Sequence, residues 1–314
     1  MPPHDRDYRK YLSPKVLSAV KGLELRARLI VEGFLGGMHH SPHRGLSVEF
    51  ADHRVYSQGD DIRHLAWKVF GKTDKYYVKE YEQETNLTIL LAVDASESMN
   101  FRGEGSPMSK FEYAASLAAA ISFLGLAQHD AVGLVTFDSA LRTLVKPGNN
   151  SAQWRSIVRE LDRNTGGDKT SFGAVMDQLA DRLSRRTLVI LISDLFDDPD
   201  DILRGLQRLR FRRHDLIVWN TWDEEELSFT VRGPTLFEGM EGGGQVQADP
   251  DALRSGYLQQ VQHFLHRLRK ECTRIQVDYH LMNTGKSLDA AITTYLAKRA
   301  NRLRQRSARV MGSG

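Results

Sequence analysis

Three short stretches carry oxygen donors in a pattern that suits a hard cation. Asp94-Ala95-Ser96-Glu97-Ser98 puts a carboxylate and two hydroxyls on one tight loop. Thr170-Ser171 adds hydroxyls after Gly166-Gly167, and Ser193-Asp194 adds a second carboxylate. Oxygen-only donors favour Mg2+, with Mn2+ or Ca2+ as alternatives, because hard cations prefer carboxylate, hydroxyl and water oxygen to nitrogen or sulfur. Mg2+ takes about six oxygens at ~2.1 Å and keeps several waters. Two hydroxyls and one or two carboxylates therefore leave a position that a partner's carboxylate can fill. In the second stretch either Thr170 or Ser171 can face the metal, and Asp168 is a further candidate as a helix cap or outer acid.

Other chemistries find less support. A haloacid-dehalogenase-type phosphohydrolase needs Asp-x-Asp, the first Asp as nucleophile and the second as acid/base. Here Ser96 stands at the second position, although Asp197-Asp198 offers an acidic pair elsewhere. No GxxxxGK[ST] loop is present, so ATP hydrolysis is not expected of the chain itself. Neither Ser96 nor Ser98 lies in a G-x-S-x-G turn. His39, His40 and His43 are interleaved with no acidic or Cys ligand and read as an ordinary loop. Asp138 and Asp223 also end strands and read as turn formers, and Asp198, Asp200 and Asp201 as helix-capping acids.

The elements that must position these residues are legible as alternating patterns. Apolar runs occur at Leu87–Val93, Ala131–Phe137, Thr187–Ile192, Leu216–Thr221 and Ile275–Leu281. Between and after them, helical stretches cover 109–128, 171–183, 199–211, 255–271 and 287–305. Strands apolar on both faces, alternating with helices, predict a mostly parallel α/β sheet covered on both sides. Leu141–Val145 is placed to pair with 131–137 as an antiparallel edge hairpin. In such a sheet, ligands bind outside the carboxyl ends of the strands, where Asp94 and Asp194 fall. Upstream, Ser13-Pro14 begins a helix whose apolar stripe is Val16, Val20, Leu23, Ala27, Ile30 and Phe34, ending at Gly36-Gly37. Residues 45–86 mix short β-like pieces, Val48–Phe50 and Lys75–Tyr81, with polar turns. The stretch Pro234–Pro250 is Gly-rich and aperiodic, and reads as an insertion.

The Asp-x-Ser-x-Ser loop after a strand, a later Thr and a later Asp resemble the metal-ion-dependent adhesion site of von Willebrand factor A domains. Asp94, Ser96 and Ser98 match its first element, Thr170 its second and Asp194 its third. The resemblance implies a Rossmann-like A-type domain over about 87–305, with a Gly-rich insertion near 227–250. It implies that the hydroxyls bind metal directly or through water, and that the aspartates act through water and hydrogen bonds. A second resemblance rests on Gly45, Glu49-Phe50, Arg54, Tyr56, Gly59-Asp60-Asp61, Arg63 and Trp67-Lys68, together with Ile192-Ser193-Asp194-Leu195-Phe196. These look like a bacterial family of A-type domain proteins typically encoded beside MoxR-type AAA+ ATPases. That resemblance implies a non-catalytic adaptor or co-chaperone in the assembly or maturation of client proteins. The ATPase or a client would supply the carboxylate to the metal.

Residues 1–86 are expected to wrap the A-type domain, because so short a segment offers little core of its own, and 306–314 to form a flexible tail. The lone Cys272 excludes an internal disulfide framework and a Cys-based zinc site, which fits a reducing compartment. A polar N-terminus without the apolar run of a signal peptide, and no run of ~18 uncharged apolar residues, point to a cytoplasmic protein. The net charge of +3 is too even to indicate nucleic acid by itself. From Arg254 to Arg309, twelve basic residues face only Glu271, Asp278 and Asp289. They read as solvated helix faces, with a docking surface for an acidic partner or for nucleic acid as the alternatives.

Overall fold

The computed structural model describes residues 13–39, 53–55, 77–79, 87–163, 167, 171–231, 233, 235–238 and 244–311. At its centre are β3 (Thr88–Asp94), β4 (Ala131–Phe137), β5 (Leu141–Gly148), β6 (Leu188–Ser193), β7 (Asp215–Trp222) and β10 (Asp278–Asn283). They form one sheet in the order β10-β7-β6-β3-β4-β5, parallel throughout except for the antiparallel β4/β5 hairpin. Numbered among themselves, the six strands run 3-2-1-4-5-6, the doubly wound order in which the chain reverses direction between β3 and β6. The Rossmann-like α/β architecture expected from the sequence is therefore present, with its edge hairpin.

Both faces of the sheet are covered, which is why its inner strands are apolar throughout. Along β3, Ile89, Leu91 and Val93 enter one core while Leu90 and Ala92 enter the other, as the two-residue period of a strand requires. The first core is closed by helices Leu23–His39, Lys110–Ala127, Gln153–Asp162 and Asp289–Met311. The second is closed by Phe172–Arg182, Pro199–Phe211 and Pro250–Arg274. The helix Lys110–Ala127 is long and apolar enough to cross a membrane, but 72% of that window is buried inside the molecule, as befits a core helix.

Several elements differ from expectation. The N-terminal helix is two pieces, Pro14–Ser18 and Leu23–His39, separated at Gly22, whose φ of +88° a helix cannot hold. The second piece continues through Gly36-Gly37. Leu17, Leu23, Ala27, Ile30, Val31 and Phe34 join the first core, whereas Val16 is exposed. The helix Gln153–Asp162 is absent from the sequence reading, although Trp154, Ile157, Val158 and Leu161 form its buried stripe. The Gly-rich stretch contains a β-hairpin, β8 (Thr235–Glu238) with β9 (Gln245–Ala248), in place of an irregular insertion. The following helix starts at Pro250, earlier than 255, because Asp249 caps it by accepting from Asp251 N. The last strand starts at Asp278, not Ile275, since Ile275 caps that helix and Gln276 turns the chain with a φ of 58°. The final helix runs to Met311.

Of residues 45–86, β1 (His53–Val55) pairs antiparallel with β2 (Tyr77–Lys79), matching the Lys75–Tyr81 expectation. Val48–Phe50, Gly59-Asp60-Asp61, Arg63 and Trp67-Lys68 lie outside the described residues, as do His40 and His43.

Candidate functional site

The loops after β3 and β6 meet at the point where the sheet order reverses. Asp94 is the last residue of β3 and is fully buried. Its Oδ1 accepts from Ser96 N at 2.9 Å, and its Oδ2 accepts from Ser193 Oγ at 2.5 Å. Ser96 precedes, and Ser98 lies on, a short 3-10 turn, Glu97–Asn100, with their Oγ atoms 3.1 Å apart. Asp194, 2% exposed, follows β6, and its Oδ1 accepts from Phe196 N at 3.2 Å. The structure thus gathers Asp94, Ser96, Ser98 and Asp194 at one edge. Thr170 and Asp168 lie outside the described residues. Ser171 is exposed and caps nothing with its side chain. Its helix is nonetheless tied to this edge, because Phe172 N donates to Asp197 Oδ2 at 2.9 Å.

Two further participants, Lys110 and Glu226, have no counterpart among the residues expected at the site, and Ser193 of the expected Ser193-Asp194 loop has a role of its own. Lys110 opens the central helix with its side chain only 2% exposed, and its Nζ donates to Asp194 Oδ2 at 2.8 Å and to Glu226 Oε1 at 2.7 Å. Glu226 Oε2 in turn accepts from Asp223 N at 2.9 Å, in a capping box that starts the helix Glu224–Ser228. Ser193 links Asp94 to Leu195 N, which donates to its Oγ at 2.9 Å. Ser193 stood in plain view at the end of the β6 run. Lys110 and Glu226 gave no local signal.

The electrostatics of the cluster are unbalanced. Burial and the neighbouring Asp194 charge push the Asp94 carboxyl up to about 7, against the pull of its hydrogen bonds from Ser193 and Ser96. Burial alone would lower Lys110, but Asp194 and Glu226 outweigh it and hold the ammonium strongly charged. Burial also raises Glu226, against the pull of Lys110. Lys110 thus pairs with Asp194 and Glu226, while Asp94 is held by hydroxyl and backbone donors, and these carboxyl groups beside two paired hydroxyls are an oxygen donor set that fits a hard divalent cation. Among the described residues no group of three or more His, Cys, Asp or Glu side chains converges for a metal. Any ion at this edge would rest on mixed hydroxyl and carboxylate oxygen.

The other acids have structural partners. Asp198 caps the helix Pro199–Phe211 by accepting from Asp200 N, Asp200 pairs with Arg267 and Asp201 with Arg204. Asp138 holds Arg142 Nε at 2.6 Å and Ala140 N at 3.2 Å. Gly167 approaches it so closely that any side chain there would overlap the Asp138 carboxylate. Asp223, fully buried, caps the helix Glu224–Ser228 and accepts from Thr284 Oγ1 at 3.0 Å. Trp154 and Trp219 pack in the first core.

The family model described as "Protein of unknown function DUF58" matches residues 52–266. The chain belongs to the DUF58 family. An uncharacterized protein of Mycobacterium tuberculosis is 26% identical over 249 residues, covering 78% of this DUF58 chain and 77% of the relative. Among solved structures, the conserved hypothetical protein BatB from Bacteroides thetaiotaomicron is similar at a TM-score of 0.47 and 16% identity, over 69% of this chain and 100% of that one. The SpRpn10 VWA domain is similar at a TM-score of 0.41 and 13% identity, over 67% and 95%. The assignment of the fold rests on the strand order and register of the DUF58 chain itself.

Proposed function

We propose that this protein is a metal-dependent protein-binding module, with no catalytic role of its own. Asp94, Ser96, Ser98 and Asp194, completed by Thr170, would hold Mg2+, with Mn2+ or Ca2+ as alternatives. The observation that carries this reading is the buried oxygen cluster at the strand-order reversal, where the Asp94 and Asp194 carboxyl groups lie beside the paired Ser96 and Ser98 hydroxyls. A bound divalent ion would supply a positive centre with an open position. The protein's own residues would orient it: Ser193 fixes the Asp94 carboxylate, and Lys110 and Phe196 N fix that of Asp194. A Glu or Asp of a partner would complete the shell.

The partner class follows from the resemblance to proteins encoded beside MoxR-type AAA+ ATPases. In this reading the chain is an adaptor or co-chaperone that presents client proteins to such an ATPase for assembly or maturation, in the cytoplasm. Co-expression with a MoxR-type ATPase, followed by affinity capture with Mg2+ and with chelator, tests it. Capture that needs Mg2+ and is lost in Ser96→Ala/Ser98→Ala supports the reading. Capture that persists in chelator keeps the ATPase partner but removes the metal from the contact, and no capture removes the ATPase partner.

The alternatives find no support in the geometry. Ser96 stands where a phosphohydrolase needs a second Asp, and its hydroxyl is paired with Ser98. Asp197 and Asp198 are engaged at helix starts. In the basic region, Arg254, Arg267, Arg274, Lys298 and Arg299 pair with Asp251, Asp200, Glu271, Asp278 and Asp130, which favours a structural use over a phosphate-binding one.

A further inference from the structure

We propose that the open edge of β10 is a second interaction surface, which takes an extended acidic peptide as a further strand of the sheet. β7 separates β10 from β6 in the strand order, and the proposal does not depend on the metal-binding reading.

The sheet has two edges and guards only one of them. β5 carries Arg142, Lys146 and Pro147, and its pairing with β4 shifts register at Val132/Leu134 and at Thr136/Phe137. Charge, proline and irregular pairing are the usual protection of an edge strand. β10 reads Asp-Tyr-His-Leu-Met-Asn, without proline, lysine or arginine. It pairs without interruption with Ile217 to Trp222 of β7. Among the described residues, the backbone of Tyr279, His280, Leu281 and Met282 has no hydrogen-bond partner on the side away from β7. A row of unpaired N–H and C=O groups of this kind is a template for an added strand.

The edge lies in a walled groove. Two clefts, of about 820 and about 470 Å3, share Tyr279, His280 and Thr294, and together they are lined by every residue of β10. The helices Pro250–Arg274 and Asp289–Met311 close opposite faces of the sheet, so the edge opens between them. The first lines the groove with Arg269 and Thr273, and the second with Ala290, Thr293, Thr294 and Ala297. The latter four share one helix face, and their small side chains leave room for a backbone beside β10.

Charge selects the occupant. Arg186, Arg210, Arg269, Lys286 and Lys298 line the two clefts, against the carboxylates of Asp215 and Asp278 alone. Arg186 and Arg210 share Asp215, and Lys298 pairs with Asp278. Arg269 and Lys286 are exposed and have no carboxylate partner among the described residues. A strand carrying Glu or Asp complements this lining, whereas a basic one is repelled.

The test uses the full chain in chelator, which removes any contribution of a metal. The probes are fluorescently labelled peptides of about eight residues, enough for one strand, alternating Glu with Thr or Lys with Thr, and binding is read by anisotropy. The wild type should bind the Glu/Thr peptide about tenfold or more tightly than the Lys/Thr peptide. Methylating the central backbone nitrogens of the Glu/Thr peptide keeps its charge but removes its donors, and should weaken binding about tenfold. Arg269→Glu/Lys286→Glu should also weaken it about tenfold. Arg155→Glu/Arg159→Glu, the same charge change on exposed residues of the helix Gln153–Asp162 beside the other edge, should leave it nearly unchanged. Equal binding of the Glu and Lys peptides, full affinity of the methylated peptide, or equal losses in the two double variants overturns the proposal. No binding at about 1 mM peptide overturns it as well. Binding that appears only when Mg2+ is restored belongs to the metal edge, and it overturns this proposal while sparing that one.

Discussion

Lys110 Nζ lies 2.8 Å from Asp194 Oδ2 with both side chains only 2% exposed, so the candidate centre contains a cation tethered to the chain. This ammonium lets the Asp194 carboxylate sit buried beside Asp94. It also ties the β6 loop to Glu226, which starts the helix after β7.

Lys110→Met should leave Asp194 and Glu226 buried with no counter-charge. Breaking a buried pair in this way costs about 3–5 kcal/mol, a fall in melting temperature on the order of 10 °C. Divalent metal should restore part of the loss, so Mg2+ should raise the melting temperature of the variant more than that of the wild type. Equal shifts in both proteins would show that Lys110 and the metal do not share the Asp194 charge.

The Asp94 carboxyl gives a pH signature. Its folded value, about 7, lies above its ordinary value of 3.8. Its contribution to stability is therefore fully present below about pH 4 and lost as pH rises through about 7. Metal needs the carboxylate, so binding releases a proton, and the Mg2+-induced melting shift should be larger near pH 8 than near pH 6. Asp94→Asn should flatten the metal-free dependence over that window. Melting curves across the range check both points.

Ser193 is predicted to act through Asp94. Ser193→Ala removes the donor to Asp94 Oδ2 and the acceptor for Leu195 N. Loss of such an outer hydrogen bond typically weakens metal binding about 10–100-fold. Calorimetric titration with Mg2+ should show this in a protein that still folds. An unchanged affinity would remove Ser193 from the site.

A control separates the fold from the centre. Asp130, fully buried, accepts from Leu87 N at 3.0 Å and from Arg299 Nε at 2.7 Å, pinning the last helix to the start of β3. Arg299→Ala should cost about 3 kcal/mol and leave the Mg2+-induced shift unchanged. A reduced shift would mean that this distant anchor also shapes the metal edge.

How much of this was legible depended on whether the signal was local. Ala131–Phe137 and Pro199–Phe211 were readable to the residue, because an apolar run and an Asp-Pro cap each carry their own boundary. Asp94, Ser96 and Ser98 were readable as a cluster because they share one loop. Asp194 was readable because strands of an α/β sheet end at a common edge. Lys110 was not, since Ser109-Lys110-Phe111-Glu112 reads as a capping box, and the box is in fact formed. A lysine at that position ordinarily faces water. Its partners lie 84 and 116 residues away in sequence. The β8/β9 hairpin was hidden by its Gly-rich setting. The left-handed backbone of Leu195, at a φ of 55°, was hidden because nothing in a leucine announces it.

The most direct test of the central claim is the melting temperature with and without about 10 mM Mg2+, for the wild type and for Ser96→Ala/Ser98→Ala. A dissociation constant near ~1 mM would give about 1.4 kcal/mol of stabilisation, a rise of roughly 2–4 °C. The account predicts that rise in the wild type and its absence in the folded double variant. An equal rise in both proteins, or none in the wild type with Mg2+, Mn2+ or Ca2+, would contradict it.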